Sequence, residues 1–134
     1  MSLSVYRVRE ALYTRLTAGA GTASVYWQVA PDSAPLPCVV FDLAGDAQVA
    51  NTLGSSEAFV DYPVLVRAMA SDTPRTAEDL YAAVHDALLS TPLAVTGGTA
   101  IGVQRRTVVT YDEATPGGGF TYHAGGRYSA LIRG

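Results

Sequence analysis

The sequence predicts an α+β fold: a mainly antiparallel sheet of four to five strands with two helices packed on one face, in the order α-β-β-β-α-β-β. Three observations predict it. Two segments carry apolar residues at helical spacing, several others alternate with period two, and the strands come in runs separated by the helices instead of alternating with them singly. With 134 residues the chain suffices for one hydrophobic core and is short for two, so residues 1–134 are expected to form a single domain.

The first helix is predicted over Ser4 to Thr17. Ser4 is placed to cap it, and Val5, Val8, Leu12 and Leu16 fall on one face, with Arg7, Glu10 and Arg15 away from that stripe. Gly19-Ala20-Gly21 is expected to end it. From Ser24 the period becomes two, with Val25, Trp27 and Val29 on one side and Tyr26 and Gln28 on the other. Pro31, Pro35 and Pro37 make an extended loop. Cys38 to Ala44 is apolar on both faces at its start and reads as a central strand.

Gly45 to Ser56 is small, polar and aperiodic, a long loop or hairpin tip. Glu57 to Met69 reads as a long strand with Val60, Tyr62, Val64, Val66 and Ala68 on one face, and Pro63 within it suggests an edge position or a bulge. In the second helix Thr73 serves as cap, Pro74 takes the first helical position, and Glu78 and Asp79 sit near the positive end of the dipole. Ala77, Leu80, Tyr81, Val84, Ala87 and Leu88 form its buried stripe, and Pro92 stops it. Ile101 to Tyr111 and Phe120 to Ile132 are the last two strands, joined by a loop from Asp112 to Gly119.

Composition excludes several function classes. Hydrophobic residues make up 49% and charged ones 16%, values of a globular chain. No apolar run approaches the ~20 residues that cross a bilayer, and the first residues lack the layout of a signal peptide, so cytosolic synthesis is the expectation. The formal charge of −3 argues against a surface that wraps nucleic acid. All nine basic residues are arginine, whose forked guanidinium suits bidentate pairing with a partner's carboxylates. The single cysteine, Cys38, excludes an internal disulfide and reads as a small buried hydrophobe.

A search for chemistry yields little. His85 stands beside Asp86 at the edge of the second helix's stripe, as a partly exposed histidine does. A metal site built from His123 with Asp112 and Glu113 is weakened because a triple glycine separates the acids from the histidine and no second histidine stands at ligand spacing. No Gly-x-Ser-x-Gly elbow occurs, and Gly117-Gly118-Gly119 leads into a strand with no lysine anywhere in the chain, unlike a phosphate loop. The competing class, a small-molecule-binding module or enzyme, would therefore draw on His85, His123 and the Asp112-Glu113 loop. No cofactor and no metal is expected.

Contact residues remain. Of the strand tyrosines Tyr26, Tyr62, Tyr111, Tyr122 and Tyr128, about half would look outward, and exposed tyrosine buries much area at small entropic cost. Interface candidates are Tyr62, Tyr111 and Tyr122, the arginines Arg67, Arg105 and Arg127, and the loop residues Asp46, Asn51, Asp112 and Glu113. Long strands with open edges can extend a sheet into a neighbour.

The layout resembles the phage tail-completion family, the tail-terminator or tail-to-head joining proteins. The resemblance rests on the Val5, Val8, Leu12, Leu16 helix, Val25-Tyr26-Trp27, and the strand entry Pro35-Leu36-Pro37-Cys38-Val39-Val40-Phe41. It continues through Val64-Leu65-Val66-Arg67-Ala68, the helix Ala77 to Val84, and the terminal strand Gly126-Arg127-Tyr128-Ser129-Ala130-Leu131-Ile132. It implies a structural protein without cofactor that forms a homo-oligomeric ring, a hexamer, at the head-proximal end of a tail tube. There it would stop tube polymerisation and meet the tail tube protein below and the head-tail connector protein above. The resemblance also implies assembly in the bacterial cytoplasm and a final place at the tail-head junction of a virion-like particle. The lysine-free composition suits a prophage or gene transfer agent of a GC-rich bacterium. No membrane and no sequence-specific nucleic acid are expected among its partners.

Overall fold

A computed structural model describes residues 5–31, 33–43, 48–51, 58–90 and 92–133, the side chains of 48–51, 58–59 and 99–101 excepted. Helix α1 spans Val5–Ala20 and helix α2 Pro74–Ser90. The strands are β1 (Ser24–Trp27), β2 (Cys38–Leu43), β3 (Gln48–Asn51), β4 (Ala58–Ala70), β5 (Thr99–Ala114) and β6 (Phe120–Arg133). The fold class is the α+β one that the sequence predicts. Six strands form the sheet, because Gln48–Asn51, inside the segment read as a loop, pairs with β4.

The sheet runs β1-β2-β4-β6-β5, with β3 against β4 at its far end. Only β1–β2 is parallel. The register explains the core. Val39 faces Ala68, Phe41 faces Val66, and these continue across to Ala124 and Gly126, so one face of three strands carries the apolar set. Both helices cover that face, α1 over β1 and β2, α2 over β4 and β6, and they pack on each other. Val8, Leu12 and Leu16 of α1 and Val84 and Leu88 of α2 are fully buried there.

Helix α1 runs past the predicted Thr17 to Ala20, within the Gly19-Ala20-Gly21 stretch expected to end it. A side chain at Gly19 would strike the Ala87 methyl of α2, so this glycine permits the close crossing of the two helices. The left-handed residue that ends the helix is Gly21, at φ 65°. Val5, assigned to the buried stripe, is 47% exposed, whereas Ala11 and Ala20 are buried. The capping role of Ser4 lies outside the described residues. In α2 the cap is as expected: the Thr76 amide donates to Thr73 Oγ1 at 3.3 Å.

Strand β1 stops at Trp27 because Gln28 turns to φ 67°, which leaves Val29 76% exposed. Pro63 does not lie in an edge strand, because β4 is flanked by β2 and β6. On the β2–β3 side the register shifts by two residues beside it, since Leu43 faces Val64 and Gln48 faces Asp61, an irregularity of the kind that the proline suggested.

Asp112 and Glu113, read as loop residues, belong to β5 and face Tyr122 and Thr121 of β6. Only Thr115 to Gly119 turns. Thr115 Oγ1 donates to the Gly118 carbonyl at 2.7 Å, and the Thr115 amide to that of Gly119 at 3.1 Å. Gly117, Gly118 and Gly119 all take positive φ, so the triple glycine makes a tight hairpin.

Candidate interaction surface

Because β4 and β6 alternate, residues between the core positions emerge on the sheet face away from the helices. Arg67, Tyr111, Glu113, His123 and Arg127 all do so. Register places Tyr111 opposite His123, and their rings stack at 4.2 Å and 10°. Arg67 Nη1 donates to Tyr111 Oη at 2.7 Å, and His123 Nε2 lies 3.2 Å from Glu113 Oε1. The triple glycine thus brings the acid to the histidine, contrary to the separation inferred from the sequence. Burial pushes the His123 pKa below its ordinary value, and Arg67 adds to this against the pull of Glu113. The neutral ring donates from Nε2 to Glu113, which leaves buried Nδ1 without a hydrogen-bond partner among the described residues.

On the helix side a second polar group lies under α2. Tyr81 Oη and Tyr128 Oη are 2.6 Å apart, His85 Nδ1 is 2.8 Å from Tyr128 Oη, and Arg105 Nη1 is 3.5 Å from Tyr81 Oη. Arginine can only donate, so Tyr81 accepts from Arg105. Every hydroxyl proton then has an acceptor if Tyr81 donates to Tyr128 and Tyr128 to an unprotonated Nδ1 of His85, the direction assigned to the chain. Burial first, then Arg105, hold the His85 pKa below its ordinary value, in keeping with that order.

His85 and His123 therefore stand on opposite faces of the sheet, so a single site that joins them with Asp112 and Glu113 does not form. Among the described residues no three His, Cys, Asp or Glu side chains gather to hold a metal ion. Cys38 is fully buried, its thiol pKa raised by that burial.

The interface candidates divide. Tyr62 is 2% exposed and is a core residue, because it sits at one of the alternate β4 positions that face the helices, so it offers nothing to a partner. Tyr122 is half-buried against the core, and Arg105 reaches inward to Tyr81. Tyr111, Asp112, Glu113 and Arg127 are exposed, and Arg67 is half-buried. Asp46 and most of the Gly45–Ser56 segment lie outside the described residues. Asn51 lies in β3, its side chain also outside them.

A further surface went unread in the sequence. Tyr6 and Tyr13 of α1 are 53% and 47% exposed, and the Arg9 guanidinium lies 5.1 Å from the ring centroids of both Tyr6 and Trp27. Tyr6, Arg9, Glu10, Tyr13, Trp27 and Phe41 line an apolar depression of about 190 Å³. The signal was present: residues 6, 9, 10 and 13 share a face at helical spacing, a second stripe beside the buried one.

Aromatic and charged side chains presented along a sheet and one helix, without converging catalytic groups among the described residues, are the equipment of an interaction protein. Residues 8–133 match the family of tail completion protein gp17, and the chain belongs to that family, one of structural virion proteins and not of enzymes. Its fold is similar to that of a chain in the virion of the native gene transfer agent particle, with TM-score 0.68, 24% identity, and coverage of 99% of this chain and 100% of that one. It is also similar to the gp17 protein of bacteriophage SPP1, with TM-score 0.52, 21% identity, and coverage of 98% and 96%. At these identities the likenesses establish the fold. No curated protein matches the sequence.

Proposed function

We propose that copies of this chain form a ring, a hexamer, at the head-proximal end of a tail tube, where the ring ends tube growth and joins the tail to the head-side connector. The observation that carries this reading is family membership across residues 8–133. The sheet supports it: β1 and β5 are edges on opposite sides, so each copy has two different flanks to offer its neighbours. Contacts that join unlike surfaces and close by rotation are what a cyclic ring requires. The partners are further copies, the tail tube protein and the connector protein. Assembly takes place in the bacterial cytoplasm, and the finished ring travels at the tail-head junction. The helix-free face, with exposed Tyr111 and Arg127 and half-buried Arg67, is a surface for tube or connector.

The test is a particle-producing strain that lacks the gene. Heads without tails are expected, with separate tails of uneven length, and the intact gene supplied in trans restores joined particles. Complete particles from the deletion strain would overturn the reading.

A further inference from the structure

Two exposed apolar patches stand at opposite edges of the sheet. One is the α1–β1 depression, with Tyr6, Tyr13 and Trp27 around the Arg9 guanidinium and exposed Arg7 on the same helix. The other lies on the β5–β6 hairpin. From Thr107 to Ala114 its register is uninterrupted, so Val108, Thr110 and Asp112 share a face with Phe120 and Tyr122. Val108 is 58% and Phe120 51% exposed, and the Phe120 and Tyr122 rings are 6.3 Å apart. That face looks toward the helix side, because Val108 pairs with Gly126, where a side chain would meet Tyr81 of α2.

The patches are complementary. The α1 patch is a concave aromatic depression that holds the Arg9 guanidinium and has Glu10 in its lining, while the hairpin face that bears Phe120 is apolar and carries the Asp112 carboxylate. Among the described residues neither Arg9 nor Asp112 has an ion-pair partner within the chain. The two bulges of β5, at Ala100/Gly102 and Arg105/Thr107, break the regular ladder that a partner strand would need before Thr107.

We infer that the occupant of the α1–β1 depression is the β5–β6 hairpin of a second copy of this chain, with Phe120 entering the aromatic depression and Asp112 meeting Arg9. The inference rests on the ring reading and adds to it the two surfaces that make the contact. Since they lie on opposite edges, four strand spacings or ~19 Å apart, no copy can satisfy its own pair. Each contact leaves one patch free at either end, so association proceeds head to tail until it closes.

The experiment is sedimentation velocity of the full-length wild-type chain and of R9E, D112R, F120D and the double variant R9E/D112R, with circular dichroism to establish that each is folded. Arg9, Asp112 and Phe120 lie at the surface of the single chain, so the fold is expected to survive. The wild type is expected to sediment as a closed oligomer. Each charge reversal and F120D weaken association at least about tenfold, the scale of coupled charge pairs at interfaces, and R9E/D112R recovers the oligomer. An oligomer unaffected by all three single variants, or a double variant no better than the singles, would overturn these surfaces while leaving the ring reading intact. A wild type that is monomeric at every concentration would overturn both.

Discussion

Replacing Gly125 by alanine is expected to destabilise the protein by about 3 kcal/mol, the upper range for forcing atoms into a packed interior, and to lower its melting temperature by roughly 10 °C. Gly125 faces Arg67 inside the β4–β6 ladder, with paired residues on either side. A methyl group there would fall on the Val66 carbonyl oxygen, with Arg67 Cα at 2.9 Å and the Val66 carbonyl carbon at 3.0 Å. All three are main-chain atoms of β4, so no side chain can swing aside, and the two strands must part where both are held on each side. Gly102 is the control: a methyl at this β5 position meets nothing within 4 Å, and its replacement by alanine is expected to be tolerated. Urea unfolding of both variants checks the pair. A Gly125→Ala variant as stable as the wild type would contradict the register.

Tyr128→Phe is expected to cost about 2 kcal/mol, within the range for stranding buried polar groups. Tyr128 is 2% exposed, and phenylalanine fills its space, so no cavity forms. The loss is in the hydrogen bonds, since Tyr81 then has a hydroxyl proton with no acceptor and His85 Nδ1 has no donor. The direction of the chain makes the comparison with Tyr81→Phe informative. In that variant Tyr128 still donates to His85, and the bond surrendered at the other end is the long 3.5 Å one from Arg105. Tyr81→Phe should therefore cost less than Tyr128→Phe, and the reverse order would contradict the assigned direction.

His85 of this chain and His123 on the other face shape the pH response. His85 and His123 have pKa values below the ordinary 6.5, so the unfolded chain takes up protons that the folded one refuses. Their contribution to stability is complete above pH 6.5 and is lost as pH falls through their folded values. Protonated His85 would donate to Tyr128, Tyr128 to Tyr81, and Tyr81 would face Arg105 with its proton unplaced. Melting temperature is thus expected to fall with acidification below about pH 6.5, and less steeply in His85→Gln.

How much the sequence revealed depended on where each residue's signal came from. The stripes of α1 and α2 and the alternation of β4 were legible because burial on one side imposes a period. The end of α1 near Gly21 was legible, but the role of Gly19 in the helix crossing was not, because it is set by Ala87, a residue of the other helix that no local pattern includes. At Pro63 the irregular register was legible, but its place in a central strand was not, for the same reason: it is set by the distant strands β2 and β6. The Tyr111, Glu113 and His123 contacts depend on hairpin register, and a triple glycine reads equally as a flexible spacer or a tight turn. Tyr62 illustrates the converse. Its alternation with Val60 and Val64 was on the page, and that pattern, more than its aromatic character, decided that it faces the core.

The central claim is that this chain is the ring between tail and head, and electron cryo-microscopy of native particles at that joint tests it most directly. The account predicts a closed ring of copies between the last tube ring and the connector, with the β5–β6 hairpin of each copy seated on α1 of the next. A joint in which tube and connector touch directly, with this chain absent or placed elsewhere in the particle, would contradict it.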